Sequence, residues 1–206
     1  MTEWVEDPAG GRERGPRGLA RAWLEVLRTP WRFFATQISP GDQAPGLTFA
    51  AAVVLLEEAT RLAFVPGAGP VFREQPAISA VLWLLVAVVL LAPAAVHLTT
   101  AVATVVLIAV APERGGISET VQVVCYAMAP AVLVGYPDPL LGLVGTVWAT
   151  DLLVLGTMVV HDVSLPRAVA VAAVPAVVIL GVGFGGFADL AAVAERGWAV
   201  IEPLIG

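Results

Sequence analysis

Residues 52–64 read AVVLLEEATRLAF, and three of them carry charge in an otherwise apolar run. Arg61 follows Glu57 by four residues and Glu58 by three, so on a helix it lies between them on one face. Its planar fork can bind both carboxylates. A charge at the centre of a membrane-spanning helix costs about 2.5–3.5 kcal/mol. Three separate charges would oppose insertion, whereas a self-paired trio turned toward the protein interior avoids most of that cost. If both glutamates ionise, one negative charge is left over. Either one carboxyl stays protonated, or another helix supplies a partner. The available groups are His97, flanked by Thr99 and Thr100, and Asp151. The sequence therefore predicts one polar layer, Glu57, Glu58, Arg61, His97 and Asp151, near the bilayer middle; the alternative is that each group bonds locally or snorkels. Such a layer could relay protons or couple to a solute. Polar contacts between helices also simply lock bundles, at roughly 0.6 kcal/mol each. With no broken-helix repeat and no gate, the structural role ranks first and small-transporter or channel activity second.

Other reactive residues carry less. His161 and Asp162 form a turn without an HExxH pattern or a third ligand, so no metal site is expected. Ser39, Ser79, Ser118 and Ser164 lie in loops or at helix ends, and none has the Gly-X-Ser-X-Gly setting of a serine hydrolase. Cys125 is the only cysteine, which excludes an internal disulfide and a cysteine-based zinc site. Gly181 and Gly185 make a GxxxG pair that would allow close helix packing. No glycine-rich phosphate loop and no basic nucleic-acid patch is present, so neither a cofactor nor nucleic acid is expected, and the chain is read as non-enzymatic.

The elements that must position these groups follow from composition. Of 206 residues 58% are hydrophobic and only 14% charged, against roughly 25% charged in soluble domains; the mean hydropathy is +0.86. Residues 1–45 hold six of the eleven arginines, and almost everything after residue 46 is apolar. This predicts an all-α, multi-pass transmembrane bundle behind a short cytoplasmic head. A span needs about 20 apolar residues, and five are expected: 46–65, 77–111, 119–136, 139–160 and 167–188. Residues 77–111 carry no formal charge, and read as one long, tilted or kinked helix projecting beyond the bilayer rather than as two helices turning at Pro93. Valine abundance would favour strands in water, but an isolated run in lipid must satisfy its backbone internally, so helix wins.

In the head, 1–16 is polar and rich in Gly, Pro and charge, hence expected to be disordered. Over 17–29, Leu19, Ala22, Trp23, Val26 and Leu27 make the stripe of an amphipathic helix, which Pro30 ends or kinks. With Trp31, Phe33 and Phe34 around Arg32, this segment is expected to lie on the cytoplasmic leaflet, with the aromatics at headgroup level or against a partner. Lipid, and a protein partner or a second copy, are the expected contacts. No apolar secretory signal opens the chain, so the first span is expected to remain as an anchor. The tail 189–206 is amphipathic and expected outside the cell. With the N-terminus cytoplasmic, the inner segments hold the six head arginines, Arg114 and Arg167, and the outer ones Arg73 and Arg196, as the positive-inside rule requires. The net charge of −6 without a lysine suits a salt-loving prokaryote, or equally GC-rich codon bias.

Three stretches, VLRTPWRFF (26–34), GGISETVQVVCYAMAP (115–130) and VVHDVSLPRAVAVAAVP (159–175), make the chain resemble the Yip family of membrane proteins, especially its prokaryotic branch. Prokaryotic members show a similar proline-plus-aromatic pre-membrane segment, a Gly-Gly loop leading into a helix with tyrosine and proline, and a His-X-X-Ser turn before an alanine-rich last span. The resemblance implies five spans, a cytoplasmic N-terminus and no known catalytic activity; the chain is expected in the cell membrane. The chain departs from eukaryotic members in lacking the acidic-leucine-tyrosine-glycine-proline signature of their head, so Rab-type GTPase binding is not implied.

Overall fold

The computed structural model describes residues 6–7, 11–12, 15–72, 74–111 and 115–205. Most of the 1–16 stretch expected to be disordered lies outside them. Apart from a two-residue antiparallel pairing of Glu6–Asp7 with Gly11–Arg12, the described residues form helices and turns.

Prolines punctuate the chain. Helix α1 (Pro16–Arg28) and helix α2 (Pro30–Thr36) each begin on a proline, whose missing N–H costs nothing in a first turn. The bend between them at Thr29 is the one Pro30 imposes. Helix α3 (Ala44–Phe64) follows. Helix α4 (Pro76–Leu85), a π-helical segment (Val86–Leu91) and helix α5 (Ala92–Val110) run on as one rod, Pro76–Val110. The wide turns adjoin Pro93, which cannot donate to its preceding turn. Helix α6 (Ile117–Ala127) passes into a 3-10 segment (Ala129–Gly135) at a 42° bend. Pro130 removes an i−4 hydrogen bond there, so the segment expected as a span over 119–136 is bent within its length. Helix α7 (Pro139–His161) is capped by the Asp138 carboxylate, which accepts from Leu140 N at 2.9 Å. Helix α8 (Leu165–Pro175) continues into a second π-helical segment (Ala176–Gly183), and helix α9 (Gly186–Ile205) closes the chain. Gly116 precedes α6, Ser118 is buried inside its first turn, and Ser164 precedes α8 without a side-chain cap bond.

Among the described residues three helices are long and apolar enough to cross a membrane: Pro76–Val110, Pro139–His161 and Leu165–Gly183. Counted as one span, the bent α6 pair would make a fourth; the same bend also fits a re-entrant loop. Helix α3 has 21 residues, but holds the three charges. Outward-facing Val81, Leu85, Val89, Leu90, Leu98 and Val105 on the rod are exposed, an apolar surface that water would not tolerate at this extent.

The main core lies among α1, α2, α3 and α6. Phe33 meets Tyr126 edge to face at 4.8 Å between ring centres, and Phe49 lies 5.0 Å from Tyr126 and 4.9 Å from Trp23. A second cluster joins Ala103 and Leu107 of α5 to Ala168 and Val171 of α8. The pre-membrane segment thus differs from the leaflet-lying helix expected of it. Phe33 and Phe34 are 1% and 2% exposed, and Trp23 donates its indole N–H to Ala129 O at 3.2 Å. The stripe is real, but it is covered by protein, since apolar side chains gain as much from a bundle face as from lipid.

Candidate functional site

The charged trio forms on the last turns of α3. Arg61 Nη2 pairs with Glu58 Oε2, its Nη1 donates to Ala68 O at 2.6 Å, and its Nε stands 3.8 Å from Glu57 Oε1. Glu58 Oε2 also accepts the Trp83 indole N–H at 2.9 Å. Arg61 therefore leans on Glu58 and the loop carbonyl. Glu57, 5% exposed, has the more distant guanidinium edge as its ion-pair contact. The α3 backbone here lies hard against the 3-10 segment: a Cβ on Gly135 would fall 2.3 Å from Glu57 O. Only glycine permits that approach.

The rest of the expected layer is elsewhere. His97 is exposed; its Nδ1 bonds Pro93 O at 2.7 Å and its Nε2 bonds Gln43 Oε1 at 3.1 Å. Gln43 and Glu57 are 14 residues apart, about 21 Å along a helix at 1.5 Å per residue. Two side-chain bridges thus fasten α3 to the rod, Glu58–Trp83 at one end and Gln43–His97 at the other. Asp151 is exposed on the outer face of α7, in a shallow groove with Val147 and Trp148. The common layer is corrected to a trio plus two separate groups, because each helix sits at its own depth and turn.

Between the two bridges lies an apolar cleft of about 240 Å³, lined by Val54, Glu57 and Glu58 of α3, Trp83, and residues of both π-helical segments. Sequence reasoning missed this cleft; the prolines beside it, Pro93 and Pro175, were its one trace.

The interface residues divide. Trp31 is 60% exposed, unlike Phe33 and Phe34. The GxxxG pair is not a packing face: a Cβ on Gly181 would meet the Phe187 ring of the same chain at 2.5 Å. Gly185 has φ +78° and open space around it, so it serves the turn into α9. His161 is buried and bonded to Thr120 Oγ1 at 3.2 Å. Among the described residues no group of His, Cys, Asp and Glu could hold a metal ion.

Long apolar helices with outward-facing aliphatic side chains, a bent span and a charge trio turned inward define a helical membrane protein. The Yip1 domain family model matches residues 24–187, and the chain belongs to that family. No curated protein and no solved structure matches it significantly.

Proposed function

We propose that the protein is a non-enzymatic, five-span cell-membrane scaffold or adaptor of prokaryotic type, recognising its partner through the outward face of α1 and α2. Helix α3 is the first span, its charges compensated by the trio; the N-terminus is cytoplasmic and α9 lies outside. The observation that carries this reading is the docking of α1 and α2. Gly18, Ala22, Val26, Phe33 and Phe34 are buried, while Arg17, Arg21, Leu24, Arg28, Trp31 and Arg32 are exposed. Among the described residues Glu25 pairs with Arg21, at 3.1 Å, and with no other of these arginines. A rigidly held face of arginines around an exposed indole suits an acidic protein surface, since arginine and tryptophan are the residues that dominate interface energetics. Transport is not favoured: a relay needs connected polar groups, and His97 and Asp151 are not joined to the trio.

A photo-activatable residue in place of Trp31, in the full-length protein in its own membrane, should give an adduct with a discrete cytoplasmic-side protein. The Arg28→Glu/Arg32→Glu double variant should lose that adduct. Adducts with lipid alone would overturn the adaptor reading. A reporter fused after Gly206 should read as extracytoplasmic, and a cytoplasmic signal would overturn the five-span topology.

A further inference from the structure

We propose that the cleft between the two π-helical segments is a binding site for a single-chain alkylammonium amphiphile, its cation between Glu57 and Trp83 and its chain along Leu91 and Val178. Three independent features meet there. The first is shape. The cavity of about 240 Å³ is below the roughly 300–1,000 Å³ of drug-sized pockets, which suits one chain and not two. Its walls carry small residues, Ala87, Ala95 and Gly183 among them, and wide helical turns, which often mark functional sites.

The second feature is charge. Two carboxylates share one guanidinium, and Arg61 is committed to Glu58 and to Ala68 O. Glu57 is the group left over, buried, lining the cleft, and 3.8 Å from the nearest cation edge. With both glutamates ionised the trio carries one net negative charge, which an ammonium entering from the cleft would neutralise. Trp83 lines the same cleft and brings an indole to it, the best aromatic partner for a cation. The third is access. Leu91 and Val178 line the cleft and are themselves exposed on the apolar outside, so the mouth opens toward lipid. An anionic or zwitterion-free neutral chain would gain the apolar wall but not the carboxylate.

The test uses the full-length protein in uncharged maltoside micelles, titrated with dodecylammonium or with dodecanol at fixed detergent, and reads the thermal unfolding midpoint. A ligand that binds only the folded state raises that midpoint. Dodecylammonium should raise it by several degrees and dodecanol should not. The apparent affinity for dodecylammonium should fall about tenfold or more in Glu57→Gln, the scale of one charged hydrogen bond. Equal shifts with the two chains, or an undiminished amine response in Glu57→Gln, would overturn the proposal. Should Glu57→Gln fail to fold, Ala95→Leu, which fills the cleft and keeps every charge, should lose the response; keeping it would overturn the proposal equally. Lysophosphatidylethanolamine separates the sources. A shift with it, lost in the same variants, supports a lipid headgroup as the natural ligand, and a shift with dodecylammonium alone supports a free amine.

Discussion

Gln122 holds Ser39 by both ends of its amide: Nε2 donates to Ser39 O at 2.7 Å, and Oε1 accepts from Ser39 N at 3.1 Å. The side chain is fully buried, in a helix whose neighbours are apolar. This pair ties the segment between α2 and α3 to α6. It fixes the end of the head just before α3. Gln122→Leu should remove both of these hydrogen bonds and leave an apolar side chain in their place, at about 1–3 kcal/mol. A lower unfolding temperature in detergent, with faster proteolysis between α2 and α3, is the expected result.

Arg61 serves two carboxylates, so removing it should harm more than removing one of them. Arg61→Met should reduce membrane yield and thermal stability, because with α3 spanning as proposed an unpaired carboxylate there costs about 2.5–3.5 kcal/mol. Adding Glu58→Gln to that variant should restore part of the loss. Quantitative comparison of the two single variants and the double variant isolates the coupling, and strict additivity would show that the pair does not interact.

Gly135 admits the α3 backbone where any Cβ would collide with Glu57 O at 2.3 Å. Backbone cannot swing aside as a side chain can, so Gly135→Ala should destabilise by about 1–3 kcal/mol. Gly197, with nothing near its Cβ, is the control: Gly197→Ala in an exposed helix should be neutral or stabilising by a few tenths up to about 1 kcal/mol.

Asp189 opens α9 outside the spans, with its Oδ2 buried against Gly142 and lacking a hydrogen bond. Burial pushes its carboxyl above the ordinary range. A carboxyl raised on folding binds its proton more tightly in the native state, so stability falls as pH rises through the raised value. Unfolding midpoints should therefore drop as pH rises from the ordinary aspartate value through the raised one, and Asp189→Asn should flatten that part of the profile.

Periodicity and charge placement made much of this legible. The stripe of Leu19, Ala22, Trp23 and Val26 specified α1, and the uncharged run 77–111 specified a single rod, seen as Pro76–Val110. The Glu57, Glu58 and Arg61 spacing specified their contact. What spacing along one helix does not carry is the depth and rotation of one helix against another. Placing His97 level with the trio assumed that each span is centred on the same plane, whereas the rod meets α3 at Trp83 near one end and at His97 near the other. Phe33 and Phe34 were misplaced for a related reason. A bilayer and a bundle offer the same dry surroundings, and only the tertiary contacts with Tyr126 and Gly156 decide between them. The 42° break after Ala127 had a visible cause in Pro130, but its angle depends on what packs around it.

Because the bundle already occupies the greasy side of α1 and α2, those helices have little left to push between phospholipids. Their exposed large apolar side chains are Leu24 and Trp31, too few to act as a wedge that spreads one leaflet. Any bending of a surrounding membrane must come instead from the outline of the long helices themselves, above all the rod whose 35 residues reach about 52 Å, well over a hydrocarbon core of about 30 Å.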